Sequence, residues 1–124
     1  MDENPFLQHL GVEILAWRPG YAELGCALRS EMLNRSGALQ GGVVATLLDA
    51  ACGYSGLFAE SGEPKRHGVT ISLMVNYMGR IQSGRVRAIG HLKGGGRSVF
   101  FAYGEVIDES GTVVASGQTA HKYL

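Results

Sequence analysis

The chain has 124 residues, 45% hydrophobic and 18% charged, which suits one globular domain over 1–124 and excludes both a two-domain enzyme and a disordered chain. Eleven Lys plus Arg against eleven Asp plus Glu leave no net charge, so no summed field would hold a nucleic acid. Zero net charge favours association between copies, and nineteen scattered glycines point to turns and to backbones in close approach.

In chain order, Asn4 and Pro5 supply an N-cap and a first-turn residue for a short helix over Phe6–Leu10, with Gly11 as its stop. That helix is expected to act as a lid or plug. Val12–Trp17 and Tyr21–Arg29, joined by Pro19-Gly20, predict a hairpin, and Glu31–Gln40 reads as a loop. Gly41 and Gly42 open an apolar stretch reaching Phe58. The 17 residues from Gly42 to Phe58 are too few and too polar to span a bilayer, so they predict a buried central helix and no membrane partner. Val69–Met78 alternates with period two. Arg85–Lys93, Ser98–Ile107 and Thr112–Tyr123 follow, separated by Gly94-Gly95-Gly96 and by Asp108-Glu109-Ser110-Gly111. The fold class is α+β, an antiparallel sheet of five to six strands wrapped around one long central helix. One helix covers little of such a sheet, so a second copy is expected at an edge or on the open face.

The first residues, MDENPFLQHL, lack the basic-then-apolar order of a secretory signal, which gives a cytoplasmic expectation. Cys26 and Cys52 stand alone and read as reduced core thiols. His9, His67, His91 and His121 show no spacing for a metal or a triad, so neither a metal nor a cofactor is expected.

Between Arg35 and Glu60 lie 24 residues with one charge, Asp49. An ionised carboxylate in the most apolar helix is costly unless it is paired or hydrogen-bonded. Helical spacing puts Gly42, Ala45, Thr46, Cys52, Gly53 and Gly56 on its side, a stripe of small residues that lets a backbone or a ligand come close. Two readings stay open: a carboxylate on a solvent-facing edge, or one poised in a cleft. Gln40-Gly41-Gly42 precedes the helix, where the first N–H groups have no intrahelical partner and the dipole favours negative charge. A developing oxyanion would be stabilised there, although a glycine pair can also be no more than a flexible cap.

The run Asn34-Arg35-Ser36-Gly37-Ala38-Leu39-Gln40-Gly41-Gly42, followed by Leu48-Asp49, resembles the Asn-x-x-Gly-x-x-His-Gly-Gly signature, with Asp nine residues after the His, of hotdog-fold acyl-CoA thioesterases. The nearest type is the phenylacetate-pathway and thioesterase superfamily member 2 group. The likeness continues through Gly68-Val69-Thr70, Asn76-Tyr77-Met78, the glycine turn before Arg97, and Ala115-Ser116-Gly117-Gln118-Thr119. It implies a hotdog fold and hydrolysis of an acyl- or aroyl-CoA thioester. By the same resemblance Asp49 is general base or nucleophile, Gly41 N–H the oxyanion donor, Asn34 a positioning residue and Thr70 the residue that orients water. Gly42, Arg97, Arg80 and Arg66 would meet the substrate, the arginines at the CoA phosphates; each arginine also reads as a solvated surface charge. Family sites form across a dimer interface, so Asp49 and Asn34 would come from different subunits of a homodimer or a dimer of dimers. Gln40 replaces the motif His; an amide donates and accepts but does not titrate near neutrality. The alternative is a hotdog module that binds acyl-CoA without cleaving it. A hotdog hydratase fits less well, since its His five residues after the helix Asp is Tyr54 here.

Overall fold

The computed structural model describes residues 4–124. The elements run α1 (Pro5–Leu10), β1 (Glu13–Arg18), β2 (Tyr21–Ala27), a 3₁₀ turn at Ser30–Met32, α2 (Gly41–Ser55), β3 (Gly68–Tyr77), β4 (Arg85–Gly95), β5 (Val99–Ile107) and β6 (Val113–Tyr123). The α1 signals behave as read: Asn4 Oδ1 accepts from Leu7 N at 3.0 Å, Pro5 opens the helix, and Gly11 closes it at φ 75°. Among the described residues no helix is long and apolar enough to cross a membrane.

All six strands join one antiparallel sheet in the order β1-β2-β4-β5-β6-β3. α2 packs on one face: Val44, Leu47, Leu48, Ala51 and Cys52 join Val86, Ala88, Ala102, Val106 and Ala115 in a single core. Alternation in β4 and β5 supplies the sheet side of it, with Val86, Ala88 and Gly90 buried in one strand and Phe100, Ala102, Gly104 and Val106 in the next. The glycines explain how close the helix lies. A Cβ on Gly90 would run into the Ala51 carbonyl of α2, and one on Gly104 would come within 3.0 Å of Cys52 Sγ and Leu48 Cδ1. The α+β, six-stranded arrangement expected from the sequence is therefore the observed one.

Several expectations need correction. The helix stops at Ser55, where Gly56 is the cap residue and its N–H turns to the Gly53 carbonyl; the Phe100 ring fills the space where a Cβ on Gly56 would sit. Phe58 lies beyond it and packs edge-on against Trp17 at 5.6 Å. β2 ends at Ala27 rather than Arg29, where Leu28 N turns to the Gly84 carbonyl at 2.9 Å. Gly94 and Gly95 extend β4 through a bulge after Leu92, so the tight turn is Gly96-Arg97-Ser98. β3, which begins the four-strand run in sequence, pairs with β6 and forms the sheet edge. Period two reports alternation and not neighbours. Both faces of this edge strand are largely exposed, with Ile71 at 56% and Tyr77 at 54%.

Candidate active site

Asp49 is partly exposed on α2, and Thr70 of β3 donates from Oγ1 to its Oδ1 at 2.7 Å. Its other oxygen has no hydrogen-bond partner among the described residues. The stripe of small residues is displaced from the expected one. Gly42, Thr46, Ala50 and Gly53 share the partly open face with Asp49, whereas Cys52 and Gly56 are buried. At 100° per residue Cys52 falls on the opposite flank of Asp49 from Thr46 and Gly53, so Asp49 marks the margin of the stripe nearest the sheet. That margin is where Thr70 can reach it.

Thr70 also contacts His121, its partner across the β3–β6 ladder, with Oγ1 3.2 Å from Nδ1. His121 Nε2 lies 2.8 Å from Thr119 Oγ1. The sequence reading dismissed His121 for want of spacing. The available signal was strand parity: Ala115, Gly117, Thr119 and His121 alternate on the buried face of β6. Burial holds the imidazole below its ordinary pKa of 6.5 against the opposing pull of the Asp49 carboxylate. The other groups packed on the ring, Thr70 of β3 and Phe100 of β5, carry no charge. Between the depressed native pKa and 6.5 the unfolded chain binds more protons than the native one, so stability rises with pH across that window. The urea midpoint of the parent should therefore fall as pH is lowered through 6.5, by more than that of His121→Asn. A parent-minus-variant difference that is constant with pH would contradict this.

Asp49, Thr70 and His121 line a cavity of about 720 Å³. Its apolar wall holds Phe6 and Leu7 of α1 with Trp17, Tyr54 and Leu57, so α1 lines part of the site. Trp17 and Tyr54 meet edge to face at 5.2 Å, and the Trp17 indole N–H donates to the Tyr54 carbonyl at 2.8 Å. Lys65, Arg66 and His67 line both this cavity and an adjoining cleft of about 400 Å³ that adds Arg97. The Arg66 guanidinium lies 4.3 Å from the centre of the Tyr123 ring. Arg66 and Arg97 thus share one cleft. Arg80 stands apart, donating to the Ser36 carbonyl at 3.1 Å.

The signature loop does not line the Asp49 cavity. Asn34 Oδ1 accepts from Ser36 N, Ser36 Oγ and Ala38 N at 2.9–3.1 Å, folding the loop toward α2. Gln40 is the N-cap residue; its N–H donates to Met32 O at 2.8 Å and its side chain makes no cap bond. Gly42 is exposed, and the Gly41 and Gly42 N–H groups have no partner among the described residues. The Tyr77 hydroxyl donates to the Gly41 carbonyl at 2.6 Å, a clamp on the first turn that sequence reasoning did not single out. Cys52 is buried with its thiol pushed up to about 12 by burial, and both cysteines are free. No group of three or more His, Cys, Asp or Glu able to hold a metal occurs among the described residues.

Residues 36–115 match the family described as Thioesterase superfamily. The chain belongs to that superfamily and is a PaaI-like, hotdog-fold thioester hydrolase. A mutant of phenylacetic acid degradation protein PaaI from Thermus thermophilus is 26% identical, with TM-score 0.83 over 98% of this chain and 100% of that one. Conserved protein PA5202 from Pseudomonas aeruginosa has the same fold at 24% identity, TM-score 0.86 and coverage of 98% and 95%. Thioesterase HI1161 from Haemophilus influenzae has it at 21% identity, TM-score 0.86 and coverage of 98% and 84%. No curated protein sequence matches the chain.

Proposed function

We propose that this enzyme hydrolyses an acyl-CoA thioester with Asp49 as general base, in a site completed by a second copy of the chain. The observation that carries the reading is a carboxylate fixed by Thr70 in a large cavity of a thioesterase-superfamily chain. The base takes a proton from water, and the hydroxide adds to the thioester carbon. The resulting oxyanion is held by the Gly41 N–H at the positive end of α2. Collapse expels the CoA thiolate, which recovers the proton from Asp49 or solvent. Arg66 and Arg97 suit the phosphates of CoA, and the wall of Trp17, Tyr54 and Phe6 suits an apolar or aromatic acyl group. Family membership favours this over the binding-only alternative.

The second copy follows from distance and register. Gly41 and Asp49 are eight residues apart on one helix, about 12 Å along its axis. An oxyanion donor must lie about 3 Å from the oxygen of the carbon that the water attacks. β3 offers an unpaired edge with exposed Ile71, Leu73 and Met74. If two β3 edges pair antiparallel about a two-fold axis that sets Met74 opposite Met74, the bulge at Ile71 brings Tyr77 of one copy opposite Thr70 of the other. Tyr77 holds Gly41 and Thr70 holds Asp49, so the oxyanion donor of one copy is brought toward the base of its partner. This pairing also supports a homodimer as the active unit.

The test is release of free CoA thiol from a graded acyl-CoA series. Phenylacetyl- and benzoyl-CoA should exceed acetyl-CoA in kcat/KM by more than about tenfold, since apolar surface is worth roughly 25 cal/mol per Å². No turnover of any acyl-CoA would overturn the proposal.

A further inference from the structure

His121 takes no part in the steps above, yet it is one of three buried polar residues among those described, with Ser55 and Thr119. The Ser55 hydroxyl is accounted for by the Cys52 carbonyl at 2.6 Å. The other two lead to the carboxylate. Phe100 stacks on the His121 ring at 4.7 Å and 17°, and Gly53 of α2 closes on its Cε1, so the ring is held in its plane.

The proton order is forced. A carboxylate only accepts, so the Thr70 hydroxyl proton goes to Asp49 Oδ1 at 2.7 Å. The Thr70 oxygen can then only accept from His121 at 3.2 Å, which fixes a proton on Nδ1. A neutral ring so protonated leaves Nε2 as an acceptor, and Thr119 must donate to it at 2.8 Å. Each donor from the core outward is directed at Asp49.

We infer that His121, backed by Thr119, is a positioning residue for hydrolysis: its Nδ1–H holds the Thr70 hydroxyl in the one orientation that fixes the Asp49 carboxylate. Without that bond the hydroxyl turns to other acceptors and the carboxylate loses its fixed plane. Misplacement of a reacting group by about 1 Å costs up to about 10²-fold in rate. The inference rests on the reading of Asp49 as base.

Two measurements on the full chain test it. Nitrogen chemical shifts of ¹⁵N-histidine-labelled protein at pH 8 should show the His121 proton on Nδ1. His121→Phe, which keeps the stacking and removes both nitrogens, should lower kcat about ten- to a hundredfold with KM within about twofold. His121→Asn carries its amide N–H near the Nδ1 position and should recover most of that loss, as no merely structural role would require. If His121→Phe fails to fold, His121→Gln replaces it, since its longer amide reaches the Nε2 position and leaves Thr70 unserved. An Nε2-bound proton overturns the inference, as does parental kcat in the variant lacking the Nδ1 donor, or an Asn variant no better than that one. An inactive Asp49→Asn with an Nε2 proton sinks this inference alone. A fully active Asp49→Asn sinks the assigned base, whatever the tautomer.

Discussion

Asp49→Asn should fold and lose turnover by about 10² to 10⁴-fold, the usual weight of a positioned general base. The amide oxygen can still accept from Thr70 at the position of Oδ1, so the local geometry is kept while the group that takes the proton is lost. KM should change little, because the apolar wall and the basic cleft are untouched. Parental kcat in a folded Asp49→Asn would remove Asp49 from the chemistry. The parent also distinguishes base from nucleophile. A burst of CoA equal to the site concentration before the steady state would mark an acyl-enzyme on the carboxylate, whereas a general base gives none.

The helix, its lone carboxylate and the glycines beneath it were legible in the sequence because each is local: a run of apolar residues, one charge, and turn chemistry of fixed spacing. The turn before β6 shows the same legibility, since Asp108 Oδ1 accepts from Ser110 and Thr112 and the Ser110 hydroxyl first of all holds its carboxyl below the usual range. What required the structure was pairing at a distance. Period two in Val69–Met78 announced a strand and gave no sign that β6, nearly forty residues later, would be its neighbour. That one pairing sets Thr70 against His121 and leaves the opposite edge of β3 free. For the same reason His121 looked like an isolated histidine, and Asp49 was placed at the centre of a stripe whose margin it occupies. Arg80, Arg66 and Arg97 were indistinguishable as charges in the chain; only the fold separates the first from the other two.

Removing the Gly41 N–H should cost about 10² to 10³-fold in kcat, the usual loss for a principal oxyanion donor. Gly41→Pro does this with little other change. Gly41 is the first residue of α2, where proline's fixed φ suits the helix and its N–H has no intrahelical partner to lose. Gln40 already has φ −58° and ψ 134°, the extended conformation that a residue before proline adopts. Gly41→Ala is the control: it keeps the N–H and sets a Cβ at 3.4–3.5 Å from the Tyr77 phenol, an ordinary contact. A proline variant within a few-fold of the alanine variant would show that the amide does not hold the oxyanion. Mixing Gly41→Pro with Asp49→Asn then tests the shared site. If the donor and the base come from different copies, each mixed dimer has one intact site and one doubly damaged site. Random exchange makes about half of the dimers mixed, and half of their sites are intact, so activity should rise to about a quarter of the parent's. No rise, with exchange demonstrated by mass labels, would place both groups in one protomer and require the loop before α2 to fold back over Asp49.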